Sequence, residues 1–342
     1  MMAMAESMDI LKLRSEFLGE CLRVLDESGV GIWVSRNHHS FWLDSASDID
    51  FLVKPDDLFK CLQLVARAAE ETGFRMVQAT EFDNWCLVFY RSGVGFVRLD
   101  FDTEVAWSGV EILSVAEVSS EAILRDGLPV PRAAHEILIL LCQCAWSGKV
   151  KDAYRSRIQV LLCEEAGKGE DLFEARGVTK GVMDDVLENG EADSLRAAFR
   201  GSGGAFTRIT SGAGRVGRLL RRILRPAGLV FVDSGMPVDR REMIVRDLEF
   251  LFPQAKSAMG KAGIKGCLSA IFRGGIAWVS PREWVPRFWV GRARVFRWDS
   301  DQKLVCEGLS EKSWSGNDSE FIATCLHSSG RAANYLKEWK RK

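Results

Sequence analysis

The chain has 342 residues, of which 47% are hydrophobic and 27% are charged, and its formal net charge is −1. This composition is that of an ordinary globular protein, and the length is enough for two or three domains with cores of their own. The balanced charge excludes a global electrostatic field that would attract nucleic acid or an anionic membrane.

The nine cysteines are scattered along the chain and include no C-x-x-C pair. Most of them fall in apolar runs, which favours buried, reduced thiols over disulfides or a zinc knuckle. The first nine residues lack a basic region followed by an apolar core, and no apolar run reaches the roughly 20 residues that span a bilayer. The sequence therefore predicts a cytoplasmic protein without a signal peptide or a transmembrane segment.

The first third of the chain alternates helical and strand-like segments. The spacing of apolar residues is helical in some segments and alternating in others, which predicts a mixed or antiparallel sheet with helices packed on it. In chain order the predicted elements are a helix over 9–28, strands at 32–34 and 49–53, a helix over about 56–72, and strands at 85–90 and 94–101.

An acidic pair, Asp48 and Asp50, accompanies the second predicted strand. Side chains alternate between the two faces of a strand, so both carboxylates leave one face while Ile49 and Phe51 enter the core. Two carboxylates this close repel each other, and a divalent cation between them relieves the repulsion. The pair therefore predicts a metal site, and the alternative is two solvated acids at the edge of a strand.

The order of these elements resembles the minimal domain of the DNA polymerase beta-like nucleotidyltransferase superfamily over about residues 9–105. Residues 32–160 are also similar to a bacterial subgroup with Arg-Asn in the loop before the acidic strand and a helical domain that follows Leu-Pro. The resemblance implies that Asp48, Asp50 and Asp100 hold two Mg²⁺ ions, with Asp102 as the alternative third ligand. It also implies transfer of NMP from an NTP to an acceptor hydroxyl.

The loop before the acidic strand departs from the family pattern. Members usually carry a Gly-Ser pair that cradles the triphosphate, whereas residues 35–40 of this chain contain no glycine. Arg36, Ser45 and Ser47 are the candidates for phosphate contact, and the loop histidines 38 and 39 are expected to be solvated. The protein is either a Mg²⁺-dependent nucleotidyltransferase with an altered loop or a catalytically inactive interaction or regulatory protein with the same fold.

A Leu-Pro-Val-Pro sequence marks the predicted end of a first domain, 1–127. A helical domain is predicted over 128–200, followed over 201–225 by a glycine-rich linker and a basic helix, 214–225. An interdomain helix with a solvated basic face is the favoured interpretation of 214–225. Contact of this helix with nucleic acid or a membrane surface is the less favoured alternative.

The remaining region, 226–342, resembles the entry to a thymidylate kinase-like P-loop domain. That family has a loop ending in Gly-Lys-Ser/Thr after the first strand, and of that motif only Gly235 is present here. The resemblance implies a degenerate P-loop-like α/β domain, with a Trp-rich tail that is predicted to be irregular. A G-x-G-x-x-G match at 212–217 lacks the buried strand that a dinucleotide site requires. The predicted fold class for the whole chain is α/β (α+β).

Overall fold

The computed structural model describes residues 2–36, 38, 41–42, 48–81, 84–165, 169–202, 229–232, 236–249, 276–279, 295–298, 304–306, 318–328 and 339. Ser45, Ser47, Gly235, the G-x-G-x-x-G stretch and the predicted basic helix 214–225 lie outside these residues.

A five-stranded mixed sheet forms the first part of the chain. Its elements are α1 (Met2–Glu27), β1 (Ile32–Val34), β2 (Ile49–Val53), a short 3-10 turn (Pro55–Asp57), α2 (Leu58–Glu71), β3 (Arg75–Glu81), β4 (Trp85–Arg91) and β5 (Gly95–Asp102). The strand order is β1-β2-β5-β4-β3, in which β2 and β5 are parallel and all other neighbours are antiparallel. This arrangement confirms the predicted α/β class with a mixed sheet.

One face of this sheet packs against α1 and α2. Phe51 of β2 stacks on Phe101 of β5 at 5.4 Å between ring centroids, and Phe17 of α1 stacks on Phe74 at 4.6 Å. All four rings are almost fully buried, and burial of each such side chain contributes about 1.5–3 kcal/mol. Together with the other apolar residues of this face they form the first core.

The middle of the chain is mostly helical but begins with two β-hairpins. Its elements are β6 (Glu104–Trp107), β7 (Val110–Ser114), α3 (Val115–Ser120), β8 (Ile123–Arg125), β9 (Leu128–Val130), α4 (Ala133–Ser147), α5 (Asp152–Glu165), α6 (Glu170–Ala175), α7 (Lys180–Asp184), a π-helical turn (Asp185–Asn189) and α8 (Asp193–Ser202). The helix α4 is buried along most of its length and forms the centre of the second core.

The first two cores interleave along the sequence. Val105 and Val118, which precede residue 128, belong to the second core, whereas Leu128 and Val130 belong to the first. The Leu-Pro-Val sequence at the predicted domain boundary forms strand β9, which pairs with β8. The hairpin therefore ties the first sheet to the helices that follow it.

A second sheet lies in the C-terminal part. Its described elements are β10 (Leu229–Val232), α9 (Val238–Glu249), β11 (Ile276–Val279), β12 (Val295–Trp298), β13 (Leu304–Cys306) and α10 (Asp318–Ser328). The order is β11-β10-β12-β13, with β10 parallel to both of its neighbours. Strand β10 is buried at Leu229 and Phe231. The prediction of an irregular tail is wrong for the described strands and helix.

The second face of the first sheet is shared between the other two cores. Leu52 of β2 belongs to the second core, while Cys86 and Val88 of β4 belong to the third core, which also contains β10 and α10. Asp50 and Asp100 leave this same face, because Asp100 is the register partner of both Asp50 and Cys86. The acidic residues thus lie between two apolar clusters. Among the described helices, none is long and apolar enough to cross a membrane.

Candidate metal centre

Strand pairing brings three carboxylates together. Asp50 of β2 pairs in register with Asp100 of the parallel strand β5, and Asp48 lies two residues before Asp50. One carboxylate oxygen from each of the three lies within 4.8 Å of the others. Asp50 and Asp100 are buried and Asp48 is half-buried, while Asp102, the alternative third acid, pairs with Leu52 and lies outside the cluster.

Arg36 compensates the charge of Asp50. Its Nε and Nη2 donate to the two carboxylate oxygens of Asp50, at 2.6 and 2.7 Å. The pair is largely withdrawn from solvent, with side-chain exposures of 13% and 3%. This fork geometry is the strongest form of a carboxylate–guanidinium contact. Arg36, a candidate for phosphate contact, is thus held by an acid of the cluster.

Arg98 compensates Asp100 in the same way. It lies two residues earlier on β5, so both side chains leave the same face, and its Nε and Nη2 donate to the two oxygens of Asp100 at 3.0 and 2.5 Å. The thiol of Cys86 lies beside this pair, and burial together with the Asp100 carboxylate raises the pKa of that thiol. Asp48 makes no ion pair with any described side chain.

Burial and pairing act in opposite directions on Asp50. Burial raises the pKa of Asp50 to about 6, although Arg36 acts to lower it. For Arg36, burial disfavours the charged guanidinium, but the Asp50 carboxylate outweighs burial and the pKa of Arg36 lies above its ordinary value. The two short hydrogen bonds to both carboxylate oxygens are the geometry of an ion pair.

The helical middle part reaches the cluster through Tyr154. The hydroxyl of Tyr154, on α5, accepts a hydrogen bond from Nη1 of Arg36 at 3.1 Å. The ammonium group of Lys151 lies 5.1 Å from the centroid of the Tyr154 ring, and Lys151 is exposed. Since Tyr154 is 118 residues from Arg36 in the sequence, no local pattern could have indicated this contact.

Arg98 is different, because the sequence did contain a signal for it. Arg98-x-Asp100 has the same i, i+2 spacing as Asp48-x-Asp50, so strand alternation alone places the guanidinium beside the acid. The prediction of solvated loop histidines is wrong for His38, which is 2% exposed. A short loop segment held against the core buries the ring, as the burial of Phe41 in the same loop shows.

The cluster offers only hard oxygen ligands from its three acids. Carboxylate oxygens are the ligands that Mg²⁺ and Mn²⁺ prefer, and three of them within a few ångströms fit a divalent cation. Three negative charges and two guanidinium groups leave one negative charge uncompensated. The donor set and its charge therefore fit a divalent cation as an additional or exchanging counter-ion.

Comparison with known proteins assigns no family. No protein-family model and no curated protein matches the chain. A solved structure described as "Crystal structure of putative nucleotidyltransferase from H. pylori" matches 60% of this chain and 96% of its own, with 11% identity and a TM-score of 0.27. A likeness of this strength does not identify the chain.

Proposed function

We propose that the protein is a divalent-cation-dependent nucleotidyltransferase that transfers NMP from an NTP to an acceptor hydroxyl. The observation that carries the proposal is the convergence of Asp48, Asp50 and Asp100 within 4.8 Å on two neighbouring strands. Such an oxygen cluster suits phosphoryl chemistry, in which negative charge concentrates at the phosphates. Mg²⁺ is the ion that we propose.

Each residue of the centre has a role in this proposal. Asp48, Asp50 and Asp100 hold the cations, which when bound would activate the attacking oxygen and stabilise the departing pyrophosphate. Arg36 contacts the triphosphate, together with Ser45 and Ser47 of the loop before β2. Lys151, which immediately precedes α5 and lies over the ring of Tyr154, adds a cation for the distal phosphates.

The test is calorimetric titration of the protein with ATP and GTP at saturating Mg²⁺. We expect wild type to bind and the double variant Asp48→Asn/Asp50→Asn, which keeps the side-chain shape, to lose at least tenfold in affinity, since two ligand charges are removed. Asp102→Asn is the control. Equal affinity in wild type and the double variant excludes the metal assignment. Transfer of label from radiolabelled NTPs to a lysate fraction then tests turnover.

A second candidate is a catalytically inactive interaction or regulatory protein that keeps this fold. Two observations favour it: Asp50 and Asp100 are both satisfied by arginines, and residues 35–40 contain no glycine that would let the backbone approach a phosphate. This candidate predicts neither Mg²⁺-dependent nucleotide binding nor turnover. The same titration therefore separates the two functions.

We propose that the C-terminal part is a degenerate P-loop-like domain. Its first strand, β10, is parallel to both neighbours, as in doubly wound α/β sheets. The Gly-Lys-Ser/Thr sequence that would hold phosphate does not occur between β10 and α9, and Asp239 in the first turn of α9 disfavours an anion there. We propose a non-catalytic role for 226–342. For the rest of the chain we propose two domains, over 1–127 and 128–200, and a linker with a basic helix over 201–225.

A further inference from the structure

Arg36 and Arg98 form ion pairs with two acids of the cluster, Asp50 and Asp100. We propose that they are exchangeable counter-ions: a divalent cation that binds the cluster displaces them from Asp50 and Asp100, and the freed guanidinium groups then face the phosphates of the ligand. This inference rests on the proposed metal site and adds a means by which the site sets its metal affinity and couples metal to phosphate binding.

The hydrogen bonds favour such an exchange. Each arginine uses both oxygens of its carboxylate, at 2.6 and 2.7 Å for Arg36 and at 3.0 and 2.5 Å for Arg98. A cation that ligates Asp50 or Asp100 directly therefore shares a carboxylate oxygen with a guanidinium group, which weakens the fork. Like charges at these distances also repel, so a bound dication and an unmoved guanidinium disfavour each other.

Arg36 has a second acceptor to which it can turn. Its Nη1 already donates to the Tyr154 hydroxyl at 3.1 Å, on an element of the helical middle part. A guanidinium displaced from Asp50 can keep this bond, which holds it at the rim of the cluster beside Lys151. Because arginine binds phosphate as a fork in the same way as it binds carboxylate, the displaced side chain is suited to an incoming phosphate group.

The alternative is that both arginines are static braces that hold the acids in place. The two possibilities predict opposite changes in the Mn²⁺ affinity of Arg36→Gln. If Arg36 competes with the cation, Arg36→Gln raises the affinity for Mn²⁺, since a positive charge and two hydrogen bonds are removed from Asp50. If Arg36 is only a brace, the same change leaves Asp50 misoriented and lowers that affinity.

The experiment measures Mn²⁺ binding by calorimetry, and then binding of inorganic tripolyphosphate at saturating Mn²⁺. For Arg36→Gln we expect Mn²⁺ affinity to rise by about tenfold or more and tripolyphosphate affinity to fall by about tenfold. Arg98→Gln should give the same pair of changes. Arg36→Lys, which keeps the charge but not the fork, should lie between wild type and Arg36→Gln in both measurements.

Arg157 provides a matched control. Its Nε and Nη2 donate to the two oxygens of Glu136 at 2.8 and 2.9 Å, with exposures of 18% and 2%, so its pair resembles that of Arg36 in form and burial. We expect Arg157→Gln to lower the thermal midpoint without changing Mn²⁺ affinity. Mn²⁺ should raise the thermal midpoint of Arg36→Gln by more than that of wild type, and that of Arg157→Gln by the same amount as that of wild type.

The outcomes separate this inference from the proposed function. One outcome overturns the exchange but keeps the metal site. In it, Asp48→Asn/Asp50→Asn binds Mn²⁺ more weakly than wild type, while Arg36→Gln binds Mn²⁺ no more tightly than wild type. Absence of Mn²⁺ binding in wild type and in both arginine variants overturns both proposals. Should Arg36→Gln fail to fold, the Mn²⁺ affinity of Arg36→Lys is compared with that of wild type instead. An unchanged or lowered Mn²⁺ affinity of Arg36→Lys overturns the exchange.

Discussion

Asp50 and Asp100 are register partners on the parallel strands β2 and β5, so their carboxylates leave the same face of the sheet side by side. Asp102 leaves that face one step further along and pairs with Leu52, beside the second core. A shift of two residues in the same strand therefore separates a member of the cluster from an acid outside it. The choice of third acid between Asp100 and Asp102 follows from this register.

The register leads to a prediction for Mn²⁺ binding. Asp100→Asn removes one ligand charge of the cluster, and we expect at least a tenfold loss of Mn²⁺ affinity, measured by calorimetry. Asp102→Asn is the control and should stay within about threefold of wild type, since Asp102 is not a member of the cluster. A larger loss for Asp102→Asn than for Asp100→Asn would place the third ligand at 102.

Removal of the Tyr154 hydroxyl tests the link between the helical middle part and Arg36. The hydroxyl accepts from Nη1 of Arg36 at 3.1 Å, so Tyr154→Phe should lower the free energy of unfolding by about 0.5–1.5 kcal/mol. Because Arg36 makes this bond on Asp50 and can keep it when displaced, Mn²⁺ affinity should stay within about threefold of wild type, in contrast to Arg36→Gln. Urea unfolding and calorimetry measure the two effects, and a tenfold change in Mn²⁺ affinity would contradict the second.

Trp339 anchors the end of the described chain in the first core. Its ring is 1% exposed and meets Trp85 edge-on at 5.5 Å between centroids. Truncation of a buried tryptophan leaves a large cavity, so Trp339→Ala should cost about 3–5 kcal/mol in denaturant unfolding. Leu124→Ala, at a site that is 77% exposed, is the control and should change stability by less than about 0.5 kcal/mol. Equal effects would show that the indole is not part of the core.

Substitution by alanine should change stability in opposite directions at two glycines, Gly148 and Gly201. Gly148 ends α4 with φ of +74°, and an added Cβ would clash with Nη2 of Arg196. Gly148→Ala should therefore destabilise by about 1 kcal/mol or more. Gly201 lies in α8 with nothing within 4 Å of the added Cβ, so Gly201→Ala should stabilise by up to about 1 kcal/mol. Thermal midpoints of the two variants check this contrast.

The sequence predicts helices and strands well where the spacing of apolar residues keeps one period over several residues. The helix α2 and the strands β2, β4 and β5 lie near their predicted bounds, whereas α1 ends near its predicted end but begins at Met2, well before residue 9. Strand β3 was missed because a bulge between Met76 and Gln78 shifts the alternation of its side chains by one residue. The short strands β6 to β9, of three to five residues each, are too brief to show a period.

For the site, sequence reasoning reached the acids but not their partners. The spacing of Asp48 and Asp50 is a local property of one strand, and so is that of Arg98 and Asp100. The pairing of β2 with β5 and the approach of Arg36 to Asp50 depend on tertiary packing. Resemblance to a family supplied Asp100, and only the folded chain supplied Tyr154 and Lys151.

The parallel pairing of β2 with β5 also concerns the order of folding. Two parallel neighbours need a crossover connection, which here contains α2, β3 and β4. The hairpins β3–β4 and β4–β5 can form from local contacts, and they bring Arg98 and Asp100 together without Asp50. Long-range pairing is slow because loop closure comes first. A partly folded chain therefore lacks the cluster, and Mn²⁺ should bind only after the whole crossover has closed.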